Sequence, residues 1–256
     1  MFQVLKSFIP KQLKSFLWKL ASKHLHLERK LGSGYRIKIA SFSDWCIYND
    51  IFVDGEYDDA IYASLLRARD SNEFRIVDLG ANTGFFTLRV LDLIRRQGVT
   101  IPQLDILLVE ASPTLYQELH ERVGSIHQSG LTLDIVSGAV GEKSGTAQFQ
   151  RAKSEIMNRV VVRKTKNSRA VNYVNLEDKL AKAGKIHLLK CDIEGSEAAF
   201  LRNYRGLLEK TEVAIFEFHE PACGSSIGTP QVMEAGFTRH HLLLNQGCAQ
   251  TVFFER

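Results

Sequence analysis

From Arg75 onward, apolar runs that read as strands alternate with stretches that read as helices, and no other feature constrains the fold as tightly. The strand runs are Arg75–Leu79, Asp105–Glu110, Thr132–Ser137, Ile186–Asp192, Glu212–Phe218, His240–Leu244 and Thr251–Phe254. Helical spacing fills Thr83–Arg96, Pro113–Val123 and Ser196–Glu209 between them. The run Ile106-Leu107-Leu108-Val109 has no polar face, which is how a strand buried between two layers reads. Alternating elements of this kind build a parallel sheet with helices on both sides. The expectation is an α/β chain with a doubly wound, mainly parallel seven-stranded sheet.

The residues before this alternation follow a different pattern. Leu13, Phe16, Leu17 and Leu20 recur at helical spacing with lysines between them, so residues 2–27 read as helical, divided near Pro10. Gly32 and Gly34 mark a turn, residues 35–53 read as short strands, and residues 57–69 as a helix. We therefore expect a basic helical and β extension over 1–47 and one domain over 48–256. A length of 256 residues with 45% apolar and 24% charged residues suits one such domain with decoration.

Charge is distributed unevenly. Residues 1–38 carry nine Lys or Arg against Glu28 alone, while the whole chain is only +4. The remaining body is mildly acidic, which argues against a dedicated nucleic-acid enzyme. The basic helix reads either as packed on the domain with solvated lysines, or as a contact for a membrane surface or a partner. A second basic stretch, residues 151–169, has Arg151, Lys153, Arg159, Arg163, Lys164, Lys166 and Arg169 against Glu155. It follows an expected hairpin around Gly141–Phe149, and reads as a solvated loop or as a lid that favours acidic groups. Cys46, Cys191, Cys223 and Cys248 are widely spaced, with no C-x-x-C pair for zinc or redox work. No apolar run is long enough to span a membrane, and lysines interrupt the N-terminus where a signal peptide would be apolar. These features place the chain in the cytoplasm.

The most informative motif is Ile76-Val77-Asp78-Leu79-Gly80-Ala81-Asn82-Thr83-Gly84-Phe85-Phe86. A strand ends in an acid and a glycine-rich turn, then a helix opens. Gly80 permits a sharp turn and a close ligand, and Gly84 relieves crowding at the helix start. The free N–H groups there form an anion site. A dinucleotide loop needs G-x-G-x-x-G, but its second and third positions here are Asn82 and Phe85. The pattern instead suits a ligand with a carboxylate and no phosphate, as in the amino-acid part of S-adenosylmethionine. Asp78, Gly80, Asn82 and Gly84 are the candidate donor-binding residues of this turn. Glu110 ends the second strand, placed to accept hydrogen bonds from ribose hydroxyls, and Ser112-Pro113 caps the next helix. Glu110 and Ser112 complete the donor set.

The fourth strand ends Lys190-Cys191-Asp192-Ile193-Glu194-Gly195-Ser196-Glu197. Strand alternation puts Lys190, Asp192 and Glu194 on one side, next to the first strand's tip. Three charges leaving a buried strand are hard to explain by stability, because burying charge is costly. The fifth strand ends Glu217-Phe218-His219-Glu220, and His219 can serve as a base near neutral pH.

These segments together resemble the FkbM family of methyltransferases. The resemblance rests on Val77 to Gly84, Val109-Glu110-Ala111-Ser112-Pro113, Leu189 to Glu197 and Glu217-Phe218-His219. Asn175-Leu176-Glu177-Asp178 and Ile51-Phe52-Val53 with Glu56 and Tyr57 are similar to the family as well. It covers roughly residues 48–245, and Asp-x-Glu-Gly-x-Glu is its specific part. Cys191 departs from the branched apolar residue more usual there. The resemblance implies a Rossmann-like class I methyltransferase fold, S-adenosylmethionine as cofactor, and O-methylation of sugars, polyketides or other secondary metabolites. It carries Gly80, Asn82, Gly84 and Glu110 over as donor-binding positions.

The expected reaction is in-line methyl transfer to a hydroxyl of a small molecule or glycan. Asp192 and His219 are the candidate bases, with Glu194 orienting or electrostatic. Asp192, Glu217 and His219 could also ligate a divalent metal, but no dense ligand motif appears and a metal is not expected. The rival functions are N-methylation of a macromolecule and a non-catalytic S-adenosylmethionine-binding scaffold. The first lacks the Asn- or Asp-Pro-Pro-Tyr element, since the fourth strand ends Asp192-Ile193-Glu194-Gly195. The second is disfavoured by the charges kept at the strand tips.

Overall fold

The protein's structure is a computed structural model that describes residues 27–150, 159–161 and 168–256. The helix expected over 2–27 and most of the basic segment 151–169 lie outside the described residues. A hairpin of β1 (Leu27–Lys30) and β2 (Arg36–Ile39) leads into α1 (Phe42–Tyr48), a π-helical turn (Asn49–Val53) and α2 (Asp58–Arg67). The alternating part runs β3 (Glu73–Leu79), α3 (Phe85–Arg96), β4 (Gln103–Glu110), α4 (Pro113–Val123) and β5 (Leu131–Ser137). An excursion follows through β6 (Thr146–Gln150), β7 (Arg159–Val161), β8 (Ser168–Asn172) and α5 (Leu176–Lys179). The chain returns through β9 (Ile186–Cys191), α6 (Glu197–Asn203), α7 (Arg205–Glu209) and β10 (Thr211–His219). It closes with α8 (Ser225–Met233), β11 (Arg239–Asn245) and β12 (Ala249–Glu255).

The main sheet has seven strands in the order β11-β12-β10-β9-β3-β4-β5. β10, β9, β3, β4 and β5 are mutually parallel, and β12 runs antiparallel to both β10 and β11. All seven expected strands are present, each a residue or two from its expected ends. The central strands are apolar on both faces because each face has its own core. Ile76, Ile106, Leu108, Leu188 and Ile215 point into one, shared with Leu88 and Leu91 of α3 and Ile61 of α2. Val77, Leu107, Val109, Leu189 and Phe216 point into the other, shared with Phe200 of α6 and Val232 of α8. Winding starts outward from β3 through β4 to β5, then crosses back to β9 on its other side. The strand order therefore reverses between β3 and β9, where a crevice opens at the strand ends.

Three local expectations are revised. Residues 42–53 are helical rather than extended. The Ser41 side chain accepts from the Asp44 N–H (2.9 Å) and caps α1. Trp45, Tyr48 and Phe52 then stack at helical spacing, with ring centroids 6.4 and 5.3 Å apart. The helix expected over 196–209 breaks at Tyr204. That wholly buried side chain reaches the Val174 (3.2 Å) and Glu142 (3.3 Å) carbonyls, so the backbone yields to the phenol's hydrogen bonds. The hairpin expected around Gly141–Phe149 is instead the first strand of a small sheet, in which β6 pairs with both β7 and β8. Gly141 and Gly145, both at positive φ, let the chain turn into it.

Arg122 of α4 ties the N-terminal hairpin to the glycine-rich turn. Its guanidinium donates to the Thr83 carbonyl (2.8 Å), the Lys38 carbonyl (3.3 Å) and the buried Asp44 carboxylate (3.3 Å). It also lies 4.3 Å from the Phe85 ring centroid. Arg122→Met would leave the Asp44 carboxylate buried without its cation. We expect a loss of about 2–4 kcal/mol in urea unfolding.

Candidate active site

The turn after β3 is built by backbone geometry that its sequence allows. Gly80 has φ +76°, and a Cβ there would overlap the Asp192 carbonyl oxygen. Two strand tips therefore touch only because residue 80 has no side chain. The contact is fixed by Asp192 N–H donating to the Leu79 carbonyl (3.0 Å) and by the N–H groups of Gly80 and Ala81 donating to Val109. Gly84 has φ +86° and faces Leu119 and Val123 of α4, which would collide with a Cβ.

Glu110 organises the other side of the turn. It is buried, and its carboxylate accepts from Asn82 N–H (2.8 Å) and Ser112 N–H (2.7 Å). Asn82 adopts φ +50°, a conformation this hydrogen bond helps to hold. Burial pushes the Glu110 carboxyl up to about 7, against the two amide hydrogen bonds that favour its ionised form. Each carboxylate oxygen keeps a lone pair beyond its amide partner. The hydroxyl of Thr83 is buried at this turn and has no hydrogen-bond partner.

Asp78 sits beneath the turn. It is wholly buried, accepts from Thr87 Oγ1 (3.3 Å), and lies 3.7 Å from Lys190 Nζ. Burial raises its pKa, and Lys190 opposes that rise. Its side chain supports α3 through Thr87 and faces Lys190, and its Oδ1 has no hydrogen-bond partner. Lys190 donates to the Gly80 carbonyl (3.3 Å) and to Asp192 Oδ2 (3.3 Å). Burial works to lower the Lys190 pKa, but Asp192, Asp78 and Glu217 outweigh it and push it up.

The charged tips of β9 and β10 converge on His219. Its Nδ1–H donates to Glu197 Oε1 (3.0 Å), and Glu197 is wholly buried and also accepts from Gly195 N–H (3.0 Å). Nε2 faces Glu194 Oε2 (3.6 Å), Glu217 Oε1 (3.6 Å) and Asp192 Oδ1 (4.0 Å). Glu194 reaches this position from a backbone at φ +54°. Asn82 and Glu194 are the two non-glycine residues at positive φ among the described residues, and both border the crevice. Burial lowers the His219 pKa, yet the Glu197 hydrogen bond and the surrounding carboxylates raise it to about 10. Burial and then Asp192 push Glu194 up to about 8, while Asp192 and then burial push Glu217 up to about 8. Glu56, held by a hydrogen bond from Thr251 Oγ1 (3.1 Å), extends this acidic wall, and burial raises its pKa.

Asp192, Glu194 and His219 therefore come together, and Gly80, Asn82, Glu110 and Ser112 form a second group at the adjacent tips. Sequence reasoning assigned no role to Glu197 or Glu56. Glu197 was visible as the last acid of Asp-x-Glu-Gly-x-Glu, but its partner His219 is 22 residues away on another strand.

Seven strands with one antiparallel member, a glycine turn at the tip of β3 and an acid at the tip of β4 define the class of S-adenosylmethionine-dependent methyltransferases. Residues 78–241 match the methyltransferase FkbM domain, more than half of the chain, and the chain belongs to that family. It is a methyltransferase, with S-adenosylmethionine as its methyl donor. No curated protein matches it in sequence. Among solved structures, Aeropyrum pernix fibrillarin with natively bound S-adenosyl-L-methionine is 12% identical, with a TM-score of 0.40. That match covers 77% of this chain and 74% of fibrillarin. A T. thermophilus 16S rRNA methyltransferase in complex with AdoMet and guanosine is 13% identical, with a TM-score of 0.43, covering 90% of this chain and 50% of its own. WbdD is 11% identical, with a TM-score of 0.45, covering 82% and 42%. Among the described residues, no helix is long and apolar enough to cross a membrane.

Proposed function

We propose that this methyltransferase acts on a hydroxyl of a small molecule or glycan. The observation that carries the reading is the acidic group at the crevice, Asp192, Glu194 and Glu217, adjoining the Gly80 turn. A hydroxyl gives up its proton as its oxygen attacks, so it needs a base close to the methyl donor. The same acids would repel the phosphates of a nucleic acid, in keeping with the mildly acidic body.

S-Adenosylmethionine, when bound, supplies an electrophilic methyl group: the acceptor oxygen bonds to its carbon, and the carbon–sulfur electron pair stays on sulfur. The cradle at Gly80, the partnerless Thr83 hydroxyl and the spare lone pairs of Glu110 fit this donor. Gly80, Asn82, Gly84 and Ser112 would shape its seat, and Glu110 would accept from its ribose hydroxyls. The acceptor proton passes to Asp192, whose Oδ1 is buried without a hydrogen-bond partner, or to the ionised fraction of Glu194 or Glu217, whose pKa values of about 8 lie near the working pH. We assign His219 to hold the acids together rather than to act as the base: Glu197 takes its Nδ1–H, and the surrounding carboxylates raise its pKa to about 10, which favours the charged ring at neutral pH.

The acceptor class is tested by incubating the enzyme with labelled donor and panels of sugars, polyketide-like alcohols, RNA and protein. The expected product is a methoxy group, identified by nuclear magnetic resonance. Methyl found on nitrogen of RNA or protein would refute the reading. Donor binding should also depend on pH through Glu110. Ribose hydroxyls favour its ionised form, so binding is stronger above a pKa of about 7 and weaker below it. S-Adenosylhomocysteine affinity is expected to fall by up to about tenfold between about pH 8 and about pH 6. A pH-independent affinity would remove Glu110 from the donor site. The four cysteines are all free, which supports a cytoplasmic enzyme.

A further inference from the structure

His219 is held in a way that an organising cation alone does not require. Its Nδ1 is committed to Glu197, a fully buried carboxylate itself fixed by the Gly195 N–H. This is the carboxylate–histidine pairing that fixes the ring and tautomer of a metal-ligating imidazole. Nε2 is thereby aimed at three carboxylate oxygens, none of them within hydrogen-bond distance. Asp192 divides its two oxygens: Oδ2 goes to Lys190, whereas Oδ1 is buried and has no hydrogen-bond partner. Ligand atoms from Asp192, Glu194 and His219 all lie within 4.8 Å of one another.

The geometry points to a divalent metal site formed by Asp192, Glu194 and His219, with Glu217 at its edge. Ligands about 2.1 Å from an ion lie about 3.0–3.4 Å apart in octahedral or tetrahedral geometry. Nε2 is 3.6 Å from Glu194 Oε2 and 4.0 Å from Asp192 Oδ1, so a closure of under about 1 Å brings both into range. The ion would replace the proton on Nε2 and relieve the mutual repulsion of the carboxylates. One imidazole with two or three carboxylates suits Mn²⁺ or Zn²⁺ better than Mg²⁺, which prefers oxygen ligands and keeps its waters. This reverses the expectation from sequence, which found no dense ligand motif. The ligands are spread over two strand tips, where spacing along the chain is uninformative.

The use of the ion rests on the proposed hydroxyl methylation. A metal in this place would bind the acceptor oxygen and make its proton easier to lose, leaving Glu217 to receive it. Asp192 would then act by holding the ion.

The test is calorimetric titration of metal-free full-length protein with Mn²⁺, with S-adenosylhomocysteine titrated into the same samples. One Mn²⁺ per chain is expected, with affinity falling on the order of tenfold or more in both Asp192→Asn and Glu194→Gln. Glu197→Gln, which meets the ring on the side away from the ion and also the Gly195 N–H, should weaken Mn²⁺ on the order of 10–100-fold. Circular dichroism confirms that each variant is folded, and the unsubstituted protein decides the matter by itself. No stoichiometric Mn²⁺ binding, or binding unchanged by both ligand substitutions, overturns the inference. If S-adenosylhomocysteine still binds in that case, the methyltransferase reading stands without a metal. If it does not, the donor site falls as well.

Discussion

Asp192→Asn is expected to lower kcat on the order of 10²–10⁴-fold while leaving S-adenosylhomocysteine affinity within about threefold. The split follows from where the two ends of the residue lie. The backbone of Asp192 contributes to the donor turn through its N–H bond to Leu79 and its carbonyl facing Gly80, and both survive the substitution. The side chain faces the acceptor side, with Oδ2 against Lys190 and Oδ1 toward His219. Replacing it removes a charge from the group that takes the acceptor proton, or that holds a metal for it. Steady-state kinetics with calorimetry on the same variant checks both halves. Full activity would remove Asp192 from the chemistry, and lost donor binding would mean that the side chain shapes the donor site.

Gly80→Ala is expected to have the larger structural effect. The alanine would have to adopt φ +76°, and its methyl group would overlap a backbone carbonyl that cannot rotate away. Relief requires parting β3 from β9 at the strand ends. We expect a loss of at least about 3 kcal/mol in stability and no measurable donor binding. Gly34 and Gly98 provide the contrast, since both have positive φ but open space where a Cβ would go. Alanine there should cost only about 1 kcal/mol, read from chemical denaturation.

Much of the fold was legible because burial on both faces leaves an unmistakable pattern. Leu188 and Leu189 point into opposite cores, so the sequence of β9 has no polar side to confuse the reading. The glycine-rich turn was legible for a related reason: glycines at 80 and 84 are demanded by contacts the chain makes with itself. α1 was misread because Trp45, Tyr48 and Phe52 favour strands by composition. Their helix depends on the Ser41 cap and on rings stacking three and four residues apart. The state of His219 could not be read from its neighbours in sequence. Its charge depends on Glu197, Glu194 and Asp192, which reach it from the end of β9 and the start of α6. Asp78 shows the converse. As a motif residue it was apparent, but only the packing reveals that its side chain is wholly buried against Thr87 and Lys190.

The donor site carries the whole account, and calorimetric titration of the purified protein with S-adenosylhomocysteine tests it most directly. Stoichiometric binding that is lost in Glu110→Ala is the expected result, because Glu110 holds Asn82 and Ser112 and, in the proposed seat, would accept from the ribose hydroxyls. Absence of binding to the unsubstituted protein would contradict the account, leaving the Gly80 turn as a structural joint between β3 and β9.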